Sequence, residues 1–122
     1  MTNLLQETKN DILRSGHTIA DIKFIGSADE EYACTWAEFE VLADVEYDSG
    51  YGSAEIAGDL VVRFTDGSHM RRYEYDGLDR WEFDLPVRRR IWRASKRIRI
   101  LKHGMWESVA DMNTALVAPR GR

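Results

Sequence analysis

From Asp59 to Leu85 the apolar pattern becomes that of short strands punctuated by two Asp-Gly pairs, and few arrangements of a chain satisfy it. Leu60 to Phe64 is a compact apolar run, Thr65-Asp66-Gly67-Ser68 holds a pair favoured in tight hairpins, and Met70 to Tyr75 runs back. A second turn at Asp76-Gly77 leads into Trp81, Phe83 and Leu85, which alternate with Glu82 and Asp84. The pattern predicts a three-stranded antiparallel meander. A two-residue loop at Asp66-Gly67 would pair Val62 with Arg71 and a three-residue loop would pair it with Met70; the apolar match favours the second.

The flanks read as helix. Thr2 or Asn3 caps a first helix with Leu5, Ile12 and Leu13 on one face, and Ser15-Gly16 stops it. Ile22 to Ile25 is β-rich and ends at Gly26-Ser27, a short strand. Thr35-Trp36-Ala37-Glu38 is a capping box, followed at helical spacing by Phe39, Leu42 and Ala43, with an end expected at Ser49-Gly50. Ser53 is placed to cap one further turn through Ile56. Beyond Pro86, Ile91, Ala94, Ile98 and Leu101 fit a helical face while Arg97 to Ile100 alternate as a strand, and the strand is taken over about 97–102. Gly104 breaks it, and Trp106, Val109 and Ala110 open a last helix. Strands gathered together with helices before and after indicate an α+β fold: an antiparallel sheet of about 3–5 strands with helices on one face. One domain is expected over 1–117, with 118–122 a frayed tail.

At 122 residues, 43% of them hydrophobic, the chain can bury a single core, and Trp36, Trp81, Trp92 and Trp106 make that core aromatic-rich. Cys34 is the only cysteine, which excludes an intrachain disulfide and suits a reducing cytoplasm. No apolar run reaches the ~18 residues of a membrane span, so no membrane partner is expected. His17, His69 and His103 each lack ligand neighbours at metal spacing, and Gly50-Tyr51-Gly52 lacks the lysine and strand-to-helix setting of a phosphate cradle. The expectation is no catalytic residue, no metal and no cofactor.

Charge is the remaining signal. Up to Pro86 there are 7 Lys and Arg against 19 Asp and Glu; from Val87 onward there are 10 against 2. The overall −4 therefore hides a dipole, and such asymmetry points to an electrostatic partner. Glu40, Asp44 and Asp48 fall at i, i+4 and i+8, which on a helix aligns three carboxylates about 6 Å apart, like phosphates along a nucleic-acid strand. With Asp29, Glu30 and Glu31, and with Tyr47 and Tyr51 as aromatic anchors, they form the expected partner-binding surface. The basic run carries Arg88, Arg89, Arg90, Trp92, Arg93, Lys96, Arg97 and Arg99. Either it contacts nucleic acid, with Trp92 offering a stacking surface, or it compensates the acidic half of the same molecule or of a second copy in a homodimer.

The stretch Tyr47 to Val62, followed by Asp66-Gly67-Ser68, Glu74-Tyr75-Asp76-Gly77, Trp81-Glu82-Phe83 and later Gly104 to Ser108, resembles small accessory proteins encoded by phages and prophages. That group includes anti-CRISPR and anti-restriction inhibitors, many of which present acidic surfaces to nucleic-acid-binding enzymes. The resemblance implies a non-enzymatic inhibitor acting in the host cytoplasm on a nucleic-acid-processing complex such as a CRISPR effector. The alternative is a small nucleic-acid-binding regulator using 88–102.

Overall fold

The computed structural model describes residues 1–50, 55–75, 78–84, 95–104 and 107–117. The Ser53 cap, the Asp76-Gly77 turn itself, Leu85, Trp106 and residues 118–122 lie outside them.

The meander forms as expected. Strands β5 (Leu60–Phe64), β6 (His69–Tyr75) and β7 (Leu78–Asp84) pair antiparallel in sequence order. Val62 sits opposite Met70, the register of a three-residue loop. Gly67 makes that loop close: its φ of +92° is left-handed, and its N–H reaches the Phe64 carbonyl at 3.0 Å while Phe64 N–H reaches Ser68 O at 2.9 Å. On the other side of β5 lies β2 (Ile22–Ser27), then β3 (Tyr32–Cys34), then β8 (Lys96–Arg97). The sheet thus has six strands in the order β7-β6-β5-β2-β3-β8, and only the β3–β8 pair is parallel. The expected strand at 97–102 shrinks to Lys96–Arg97; Lys102 makes a single bridge to Ile56.

Register aligns Cys34, Ile25, Val62, Met70 and Phe83 across the sheet on one face. Against that face pack Leu4 and Ile12 of α1 (Leu4–Arg14), Phe39 of α2 (Trp36–Leu42) and Val109 and Met112 of α3 (Val109–Val117), in one buried cluster. This is the α+β layering expected, with more strands. Asp59 fixes α3 to the start of β5, its carboxylate accepting the Val109 N–H at the helix start.

Two helices differ from their sequence patterns. In α1, capped by Asn3, the buried residues are Leu4, Thr8 and Ile12, whereas Leu13 is exposed. Leu4, Thr8 and Ile12 are spaced i, i+4, i+8, and the hydroxyl of Thr8 is satisfied by donating to Leu4 O and accepting the Trp81 indole N–H at 2.8 Å. A threonine took a core position that hydrophobicity alone would not give it. In α2 the capping box forms in full, Thr35 accepting Glu38 N–H and Glu38 accepting Thr35 N–H. The helix nevertheless ends at Leu42, seven residues before Ser49. Ala43 closes it, the Val45 N–H turns back onto Ala43 O at 2.7 Å, and the chain then enters β4 (Glu46–Tyr47), which pairs antiparallel to β1 (Thr2–Asn3). An extended path alternates sides, so Tyr47 enters the core while the three carboxylates face out. A continued helix would instead have stacked those carboxylates with no cation to relieve them.

Candidate functional site

The helical acidic stripe is therefore absent, because Asp44 and Asp48 lie beyond α2. The same residues form a stripe of another kind. Asp44, Glu46 and Asp48 alternate with Val45 and Tyr47 through and beside the two-residue strand β4, and all three are exposed. Asn3 ties two of them together: its amide Nδ2 donates to Asp44 Oδ1 at 3.0 Å and to Glu46 Oε2 at 3.3 Å. Asp48 accepts the Gly50 N–H at 2.9 Å. Just before the turn stand exposed Glu40 and Val41, the latter 77% accessible. Among the described residues none of the four carboxylates has a Lys or Arg partner, so the segment presents uncompensated charge around one exposed apolar side chain. The pattern was visible in the sequence as strict acidic–apolar alternation from Asp44 to Asp48, a period of two.

The other expected acidic residues are spent on the fold. Asp29 closes the turn between β2 and β3, accepting from Ser27 Oγ at 2.7 Å and Glu31 N–H at 2.9 Å. Glu30 is buried at a left-handed φ of +67° and pairs with Arg63 at 2.7 Å. Glu31 pairs with Lys96 at 3.0 Å and Glu38 with Arg97 at 3.1 Å. Lys96 and Arg97 thus direct their charge to the acidic half of their own molecule. Arg99 has an exposed side chain and a backbone N–H that donates to the side-chain amide oxygen Oδ1 of the buried Asn113. Tyr51, Arg88, Arg89, Arg90, Trp92 and Arg93 lie outside the described residues.

Tyr47, expected as an exposed anchor, is fully buried. Its hydroxyl donates to Glu7 Oε1 at 2.5 Å and accepts from Arg72 at 2.9 Å, and burial pushes its ionisation well above the ordinary tyrosine value. The Arg72 side chain is likewise wholly buried, between the rings of Trp81 (4.9 Å) and Tyr47 (5.4 Å), and it bridges Asp79 at 2.8 Å and Glu7 at 3.5 Å. Nothing in the sequence marked this cluster, since its charged members, Glu7, Arg72 and Asp79, stand 7 to 72 residues apart in the chain and each reads alone as a surface charge.

The histidines take up separate partners: His17 lies between Ser15 Oγ (3.0 Å) and Asp66 (2.9 Å), His69 is 3.5 Å from Asp84, and His103 is 2.7 Å from Glu107. Among the described residues no three His, Cys, Asp or Glu side chains are grouped to hold a metal ion. Burial pushes the Cys34 thiol up to about 12, which keeps it protonated and a poor nucleophile. No helix among the described residues is long and apolar enough to cross a membrane. No protein family, curated protein or solved structure matches the chain.

Proposed function

We propose that this chain is a non-catalytic inhibitor that docks the acidic segment Asp44-Glu46-Asp48, with Glu40 and Val41 beside it, onto a basic surface that otherwise holds nucleic acid. The resemblance to phage accessory proteins makes a host defence complex, such as a CRISPR effector, the partner of this reading. The supporting observation is that, among the described residues, no Lys or Arg pairs with these carboxylates, although Glu30, Glu31 and Glu38 are paired internally. A charge about every 6.6 Å along an extended strand is roughly half the density of one nucleic-acid strand, at about one phosphate per 3.4 Å of axis. Such a strip competes for part of a phosphate-binding groove, and Val41 supplies an apolar contact that phosphate lacks.

The test is capture from nuclease-treated bacterial lysate with the wild type and with a variant carrying Asp44→Lys, Glu46→Lys and Asp48→Lys. The expected result is a nucleic-acid-binding protein retained by the wild type, released by added duplex DNA or RNA and by salt, and lost in the folded variant. Retention unchanged by the reversal, or tight binding of nucleic acid by the wild type itself, would overturn the reading.

A further inference from the structure

Register sets which residues share the outer face of the sheet, opposite the helices. Across the β6–β7 pair Arg71 stands opposite Glu82, Tyr73 opposite Arg80 and Tyr75 opposite Leu78, while Met70, Arg72, Trp81 and Phe83 alternate to the helix side. On the outer face Tyr73 is held from several directions. Arg71 lies over its ring at 5.9 Å and Arg80 at 5.0 Å, and the Tyr75 ring runs nearly parallel to it, 16° off with centroids 6.5 Å apart. The ladder then runs out into solvent: Tyr75 is 65% exposed and Leu78, directly across from it, 43%. A tyrosine has only two side-chain torsions, so flanked rings of this kind lose little freedom on being covered, and Tyr and Arg are residue types that concentrate interface energy.

Charge decides what covers the face. Up to Pro86 the chain carries 7 Lys and Arg against 19 Asp and Glu, so two copies of this part repel wherever acidic surfaces meet. The outer face of β6 and β7 is different. Arg71 pairs with both Asp84 and Glu82, and Arg80 lies 3.6 Å from Glu82, so two guanidiniums balance two carboxylates. Single-stranded nucleic acid also uses rings and arginines on a sheet face, but it needs cations left over for its phosphates. Here both guanidiniums are shared by carboxylates. A two-fold contact asks for something else, a patch that meets its own copy, and equal numbers of both signs around an exposed apolar pair are self-complementary.

We infer that the chain forms a two-fold dimer in which the outer faces of β6 and β7 from two copies pack together, with Tyr75 and Leu78 at the centre of the contact. Face-to-face sheets lie about 10 Å apart, a distance that interleaved tyrosine and leucine side chains fill. The inference goes beyond the function proposed above and does not depend on it. Its consequence for that function is bivalence, because the acidic strip belongs to β4 and its neighbours and stays outside the contact, so each dimer carries two strips.

The experiment is sedimentation equilibrium of the full chain from about 5 μM to about 500 μM, the range in which small interfaces dissociate. The mass should rise from that of one chain towards that of two. Tyr75→Asp, which sets a like charge into both copies, and Leu78→Ser should each raise the dissociation constant about tenfold or more. Both positions are exposed, so circular dichroism melts should stay near those of the wild type, and if one variant folds poorly the other carries the test. Added salt should hold or strengthen the dimer, since it screens the repulsion between the acidic parts. A single-chain mass at the highest concentration, or a dimer that neither variant weakens, would overturn the inference. So would an oligo(dT) strand that binds the wild type, is released by salt and is lost in Tyr75→Asp, an outcome that gives this face to single-stranded nucleic acid.

Discussion

Arg72 shows how far a single side chain can organise a small core. A buried guanidinium would ordinarily be a liability, but here it is held between two aromatic rings and answered by Glu7, Asp79 and the Tyr47 hydroxyl. Arg72→Met should lower stability by about 3 to 5 kcal/mol near neutral pH, because two carboxylates would lose their cation. The sign with pH follows from Asp79, whose ionisation is raised, chiefly by burial, against the pull of Arg72. A carboxyl raised in the folded state contributes most below its ordinary value of 3.8 and loses that contribution as pH rises through the raised value. The Arg72→Met defect should therefore shrink in acid, and urea melts at pH 4 and pH 7 would show it. Asp66 runs the opposite way. Hydrogen bonds from Ser68, then His17, hold its carboxyl down at about 2, so its contribution is present above 3.8 and is lost as pH falls towards 2. Asp66→Asn should flatten that part of the acid-unfolding curve, followed by circular dichroism between pH 4 and pH 2.

At the scale of elements, two substitutions separate local from tertiary control. Thr35→Ala removes an observed capping box and should cost about 1 kcal/mol, seen as a lower melting temperature. Gly26→Ala should be worse, at about 3 kcal/mol or more in a denaturant melt. A Cβ at Gly26 would stand 2.0 Å from Tyr32 O and 2.7 Å from the Phe24 ring, so β2 and β3 would have to part. The capping box is legible because all its partners lie within four residues. The end of α2 was not: propensity alone carries a helix through Ala43 to Ser49, and the stop comes from Tyr47 entering a core built by Glu7, Arg72 and Asp79. The alternation of Asp44-Val45-Glu46-Tyr47-Asp48 did encode an extended strand, but the i, i+4 spacing of the same acids competes with it. Only burial of Tyr47 decides between the two periods.

For the whole molecule, the charge dipole of the sequence is partly folded in on itself. β8 lies beside β3, and Lys96 and Arg97 reach Glu31 and Glu38 across the join, while Lys102 reaches Glu55 at 3.5 Å. The pairs of Lys96 and Arg97 are largely solvent-exposed, worth at most about 1 kcal/mol each. Lys96→Gln with Arg97→Gln should consequently lower the melting temperature only slightly, and 0.5 M salt should erase much of the difference between variant and wild type. A large loss of stability would mean that β8 is held by its charges instead of by the buried Ile98 and Leu101 that follow it.

The meander, the capping box and the α+β layering were determined by the sequence itself, since each rests on neighbours or on a periodicity that survives without the rest of the chain, whereas the sequence left two registers open at Asp66-Gly67 and only favoured the one observed. The tertiary structure decided what each charge does. Whether Glu30 is surface or buried, whether Arg72 is solvated or central, and whether Tyr47 anchors a partner or the core depend on residues 25 to 65 positions away. A carboxylate beside a distant guanidinium and one facing open water look alike in a sequence, because the difference between them lies in desolvation and pairing, and both arise only when the sheet and helices close.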